Sequence, residues 1–210
     1  MSLYSPSAMQ MLTEDVFEYK EKSNKIADLL KNSEAFEKKS KIIRSCGNYI
    51  SYAVFEDGTF KLETANFCRE RACPQCQRRR SLRVYANTCR VLNFLGDEFT
   101  YLHLVLTIPN VRYRELKKTI SKLFIKSSEY FQNPELKKAF KGIMRCFEIS
   151  YNSERKDFHP HLHCLIAVNK NYFTGRNYIR HKKLRLLWGE TYGIKGLNIF
   201  IGRAYNGINA

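Results

Sequence analysis

Residues 144–168 decide how this chain is read. Met144-Arg145-Cys146-Phe147-Glu148-Ile149-Ser150-Tyr151 runs into a polar turn through Asn152-Ser153-Glu154. After His159-Pro160 comes His161-Leu162-His163-Cys164-Leu165-Ile166-Ala167-Val168. On an extended strand, alternate side chains share a face. His161, His163, Leu165 and Ala167 therefore lie on one face, and Leu162, Cys164, Ile166 and Val168 on the other. Two neutral imidazoles side by side make a ready pair of ligands for a divalent cation. Three of the five histidines fall within these five positions, 159–163, which is unlike scattered core histidines. Glu148 stands in an otherwise apolar strand, which the turn places beside the histidine strand as a hairpin. It is the first candidate for a third ligand. His103 and His159 are its rivals.

Outward from this hairpin, residues 97–210 read β-α-β-β-α-β. Tyr101 to Ile108 alternates through Leu102, Leu104 and Leu106. Helical spacing covers Arg112 to Phe131 and, with a basic surface, Tyr178 to Trp188. A short strand, Leu197 to Ile201, ends the pattern. The expected fold is α+β: an antiparallel, ferredoxin-like palm with helices on one face.

Residues 42–96 form a second module. Apolar stretches, Tyr49 to Phe55 and Phe60 to Leu62, flank Asp57-Gly58, a hairpin signal. Cysteines bracket it. Cys73-Pro74-Gln75-Cys76 is a knuckle, whose two thiolates reach one tetrahedral ion. With Cys46 and Cys68 it makes a four-thiolate, structural zinc site of zinc-ribbon type. Cys89, Cys146 and Cys164 read as buried apolar residues. A basic helix from Arg78 to about Leu95 follows. Residues 1–41 read as a helical segment with a stripe of Val16, Tyr19, Ile26, Leu29, Leu30 and Phe36, capped at Thr13. It serves packing, without chemistry of its own.

Lys and Arg number 36 against 20 Asp and Glu, a formal charge of +16. Such an excess suits a polyanion. It is concentrated in two blocks: Arg69, Arg71, Arg78, Arg79, Arg80 and Arg83 in the cysteine module, and Arg180, Lys182 and Lys183 in the palm. Both are expected to face DNA phosphates. No signal peptide or membrane span is expected. Seven cysteines without a leader indicate a reducing cytoplasm, where clustered thiols hold metal more often than disulfides.

Three segments together resemble the plasmid rolling-circle replication initiators of Gram-positive bacteria, in the class with an N-terminal cysteine module. They are Cys46 with Asn66-Phe67-Cys68-Arg69-Glu70-Arg71-Ala72-Cys73-Pro74-Gln75-Cys76 and Arg78-Arg79-Arg80-Ser81; Leu104-Val105-Leu106-Thr107-Ile108-Pro109-Asn110; and Phe147-Glu148-Ile149-Ser150-Tyr151-Asn152 leading to His159-Pro160-His161-Leu162-His163. The likeness spans residues 42–190. It implies a histidine-hydrophobic-histidine endonuclease that uses Mg²⁺ or Mn²⁺, nicks and joins one strand of a single-stranded or hairpin plasmid origin, and works with host replication machinery. The resemblance implies a tyrosine nucleophile on a lysine-containing helix after the last strand. No such run follows Ile201, and only Tyr205 stands there; Tyr192 is a weaker choice. The expectation is therefore an initiator whose palm is C-terminally incomplete. Alternatives are a shortened, non-catalytic DNA-binding form or a related single-strand transposase.

Overall fold

A computed structural model of the protein describes residues 6–204; Tyr205 lies outside them. The chain divides into two compact units, Met1–Phe94 and Leu95–Ala210.

In the first unit, α1 (Pro6–Leu30) and α2 (Glu37–Ser45) precede a hairpin of β1 (Ile50–Val54) and β2 (Phe60–Ala65), then α3 (Pro74–Leu95). The Asp57-Gly58 turn joins the two strands, with Gly58 at φ +75°, where a side chain is disfavoured. The first helical segment differs from expectation. Thr13 lies inside α1 rather than at its start, and Leu29 and Phe36 are exposed. The fully buried positions are the small residues Ser23 and Ala27, four apart on one side of the helix, while Ile26 and Leu30 of the expected stripe are half-buried against the same core. Ala27 shares one core with Ile43, Cys46 and Cys73. Small side chains win this face because they let α1 approach the cysteine knuckle closely.

The second unit runs β3 (Phe99–Thr107), α4 (Tyr113–Gln132), α5 (Pro134–Ala139), β4 (Phe140–Asn152), β5 (Asp157–Asn169), α6 (His181–Tyr192) and β6 (Ile199–Arg203). Its sheet is antiparallel with strand order β4-β5-β3-β6, so the molecule is α+β. Short α5 was not read from the sequence. Its signals were local: Asn133 caps it by accepting from the Glu135 amide at 2.9 Å, and Pro134 opens it. Gly193, at φ +83°, ends α6.

One face of this sheet is covered. Leu102, Leu104 and Leu106 of β3 and Leu162, Cys164, Ile166 and Val168 of β5 are buried with Leu123 and Tyr130 of α4 and Leu184 and Trp188 of α6. The Trp188 indole donates to the Thr107 carbonyl at 2.8 Å. Burying one leucine-sized side chain stabilises by about 1.5–3 kcal/mol, so this layer fixes which β5 residues point inward. His161 and His163 are thereby turned to the opposite, open face. β4 departs from the simple alternation. Phe147 packs on the core, but Ile149 and Tyr151 are exposed, because β4 is an outer strand with one neighbour. Cys146, expected in the core, is exposed on the open face that Glu148 shares, and Cys89 is only half-buried; Cys164 is buried.

Candidate metal centres

On the open face, strand register places the acid against the histidines. Glu148 pairs directly with His161, and Cys146 with His163. Glu148 Oε2 is 2.9 Å from His163 Nε2 and 3.7 Å from His161 Nε2. Ligand atoms of all three lie within 4.8 Å of one another. His163 Nε2 is buried yet makes no hydrogen bond of proper geometry. A buried polar atom left so is costly, and a cation between these atoms would satisfy it.

The other ring nitrogens are already engaged. His161 Nδ1 is 3.1 Å from the His159 carbonyl. A carbonyl only accepts, so Nδ1 carries the proton and Nε2 keeps its lone pair. His163 Nδ1 is 2.9 Å from His103 Nε2, and the two rings stack within 8° of parallel. With His103 accepting at Nε2, His163 too offers Nε2. Burial, and then the neighbouring His163 ring, hold the His103 pKa below the ordinary histidine value, which favours the neutral, accepting ring. His103 thus lies behind a ligand rather than among the three.

His159 also lies outside the group. Its Nδ1 donates to Asn110 Oδ1 at 2.7 Å. Burial, and secondarily His161, lower its pKa. Tyr192 is buried against Trp188.

In the first unit, Cys46, Cys68, Cys73 and Cys76 bring their sulfurs within 4.8 Å of one another. The Cys46–Cys76 and Cys68–Cys76 separations are 3.5 and 3.7 Å. Tetrahedral Zn–S bonds of about 2.3 Å require sulfurs roughly 3.8 Å apart, so this cluster could hold a metal ion such as zinc. Backbone N–H groups point at the sulfurs: Cys68 N to Cys46 at 3.3 Å and Arg69 N to Cys76 at 3.2 Å. The second needs Arg69 at φ +60°. The Cys46 hydrogen bond, above all, pulls Cys73 down to about 4, while burial foremost pushes Cys68 up to about 11. The Cys73 hydrogen bond, then burial, raise Cys46. Thiolates crowded this way favour a cation that takes up the charge.

Helix α1 takes a part in this cluster that its own residues do not announce. Ser23 Oγ lies 3.6 Å from Cys73 Sγ and accepts from the Gln75 amide at 3.2 Å. Lys20 donates to the carbonyls of Arg44 and Cys46, each at 2.7 Å. Gly47 is also required: at φ +66°, an added Cβ would meet Gln75 Oε1 at 2.4 Å.

Beside the cluster, β2 and α3 flank a groove of about 810 Å³ lined by Arg69, Arg71, Arg79, Arg80, Arg83 and Asn87. Helical spacing puts 76, 79, 80, 83 and 87 on one side of α3. Arg78 lies on another side, over the Tyr19 ring at 5.6 Å. Arg79 stacks on Phe67 at 3.7 Å. In the second unit, Arg180 precedes α6, and Lys182 and Lys183 occupy its first turn. Lys183 pairs with Glu135 at 3.2 Å. No helix among the described residues is long and apolar enough to cross a membrane.

The model of the Replication protein family matches residues 59–195, taking in the cysteine knuckle, the basic helix and the histidine strand. A "Protein rep" of Bacillus sp is 36% identical over 156 residues, covering 73% of this chain and 50% of that protein. One from Streptococcus pneumoniae is 32% identical over 174 residues, 80% and 54% of the two chains. One from Staphylococcus aureus is 32% identical over 159 residues, 73% and 69%. The chain spans about half the length of the first two of these relatives. No solved structure matches it. With more than half of its length matched by the family model, this chain belongs to the Replication protein family.

Proposed function

We propose that this chain carries the DNA-processing centre of a plasmid replication initiator, which binds origin DNA and nicks and rejoins one strand. The observation that carries the reading is the meeting of His161 Nε2, His163 Nε2 and Glu148 Oε2 on the open face of a sheet, in a member of the Replication protein family. The sheet order and connectivity support a ferredoxin-like palm as its frame.

Two nitrogens and one carboxylate oxygen suit Mn²⁺ or Mg²⁺, with imidazole favouring Mn²⁺. A bound divalent cation supplies charge neutralisation at a phosphate oxygen. The chain's residues do the rest. Glu148 is 59% exposed at its side chain, so the site opens to solvent and leaves room for a strand. His161 and His163, fixed at Nδ1, hold their ligand atoms without rearrangement. The arginine groove of the first unit and the α6 block of the second would each hold phosphates. In the reaction, a tyrosine oxygen bonds to phosphorus, the P–O3′ bond breaks, and the 3′ oxygen leaves as a hydroxyl that can prime synthesis. Tyr205 is the candidate for that tyrosine.

The test is incubation of the protein with a single-stranded oligonucleotide from its plasmid's origin and Mn²⁺. A covalent protein–DNA adduct, lost in Tyr205→Phe and in His163→Ala, is the expected result. Tight, metal-independent binding with no adduct from the intact plasmid-encoded protein would overturn the catalytic reading and leave a DNA-binding form.

A further inference from the structure

The three-ligand centre is the first of three successive same-face rungs on the β4–β5 hairpin. Glu148 faces His161, Ser150 faces His159, and Asn152 faces Asp157. Each rung is two residues, or about 7 Å, from the next, the scale of one nucleotide along an extended single strand. The outer two rungs line a pocket of about 310 Å³, closed on one side by Asn110 and overlooked by Arg155. Asn110 is held there because Val111 bridges to Phe158 with two 2.9 Å backbone hydrogen bonds.

The pocket's chemistry argues against a phosphate. Among the described residues that line it the one cation, Arg155, is 3.1 Å from the Asp157 carboxylate, and a carboxylate repels an anion. Burial alone would raise Asp157, but hydrogen bonds from Arg155 and Asn110 outweigh it and keep the carboxyl below its ordinary value. What remains is a neutral set of donors and acceptors. Asn110 donates to Asp157 at 3.0 Å and accepts from His159, which leaves His159 Nε2 as an acceptor. Ser150 offers a hydroxyl, and Asn152, whose Oδ1 accepts from the Arg155 amide at 2.8 Å, offers its side-chain N–H groups. Mixed, neutral donors and acceptors held in place match the hydrogen-bonding edge of a base. Such a pocket is near the lower size limit of ligand sites, which fits one base and excludes a paired one.

We propose that this pocket is a nucleobase site, taking one unpaired base of a DNA strand whose phosphate lies at the His161–His163–Glu148 centre. The proposal rests on the reading of the chain as a strand-processing protein. It makes Asn110, from the β3–α4 connection, and Ser150 and Asn152, from the end of β4, specificity-determining residues.

The test compares labelled strands of about 15 nucleotides: homopolymers of T, C and A, and an abasic strand of equal length. The abasic strand carries the same phosphates, so it controls for every electrostatic contact. In fluorescence anisotropy with Mn²⁺, the wild-type protein is expected to bind one homopolymer about tenfold more tightly than the abasic strand. Asn110→Ala and Ser150→Ala, both at exposed positions, should bring that preference to within about twofold and leave abasic binding unchanged. In the wild-type protein, the side-chain amide signals of Asn110 and Asn152 should shift in NMR spectra with deoxynucleoside monophosphate and not with deoxyribose 5-phosphate. A base preference that survives both substitutions, or a protein that binds abasic and homopolymer strands alike, overturns the pocket while strand binding stands. If no strand binds, the DNA reading fails together with it.

Discussion

The molecule carries two ligand clusters built on opposite plans. The cysteine cluster is enclosed: Cys46 and Cys73 are buried, backbone amides point at its sulfurs, and helix α1 seals it. The histidine cluster is open: Glu148 is exposed, and three ligands leave coordination positions free. A closed four-ligand site holds structure together, whereas an open three-ligand site leaves room for substrate. The comparison teaches that one chain can carry a cluster whose plan suits a structural ion in one unit and a cluster whose plan suits chemistry in the other. Each half of that statement can be broken separately.

The largest effect is expected from the closed site. Purified protein should contain about one equivalent of zinc. Cys73→Ser, or a strong chelator, should abolish hydrogen-exchange protection throughout residues 16–94. The one tryptophan, Trp188, sits in the second unit's core, so its fluorescence should stay native in the same experiment. Zinc-free protein that keeps its protection under reducing conditions would show the cluster to be four packed thiols.

The open site should behave the other way. His161→Ala or His163→Ala should cost at least about 100-fold in metal-dependent adduct formation, more than loss of an outer partner costs, while the thermal midpoint shifts by only a few degrees. Adduct formation that persists in both variants would remove the histidines from the chemistry.

How much of this contrast was legible follows from the range of each interaction. Period-two alternation exposed the His161–His163 pair, and a short hairpin brought Glu148 opposite, because both are local. His103 could be seen only as a rival ligand. Its contact with His163 depends on β5 lying between β4 and β3, a sheet order that no local pattern encodes. Lys20 and Ser23 were missed for the same reason, since their partners stand 24 to 52 residues away. The sequence pattern also over-buried Leu29, Ile149 and Cys146. Apolar spacing tells which residues can face a core, but not whether an outer strand or a helix flank has anything to cover it.

His103 gives the next effect in size. As the partner of His163 Nδ1 it acts through the ligand, so His103→Phe should weaken Mn²⁺ binding by about 10- to 100-fold, measured by calorimetry. His103→Gln, which can still accept a hydrogen bond, should recover part of that loss. Equal binding in all three proteins would reduce His103 to a stacking neighbour.

The smallest effect belongs to the arginine groove beside the closed site. Its Arg79, Arg80 and Arg83 stand on one side of α3 and belong to the basic block that charge alone marks, whereas Arg78 of the same block faces Tyr19. If Arg80 and Arg83 each neutralise one phosphate, each contributes one released counterion. The slope of log affinity against log salt should then fall by about 0.7 for Arg80→Ala and again for Arg83→Ala on single-stranded DNA, or by about 0.9 each on duplex. The sequence preference of binding should not change, because phosphate contacts carry no base information. Arg78→Ala supplies the internal control. It removes the same formal charge from the same helix but from outside the groove, so it should leave the slope nearly unaltered. An equal drop for Arg78 and Arg80 would mean that the unit acts through overall charge and that the groove has no directed role.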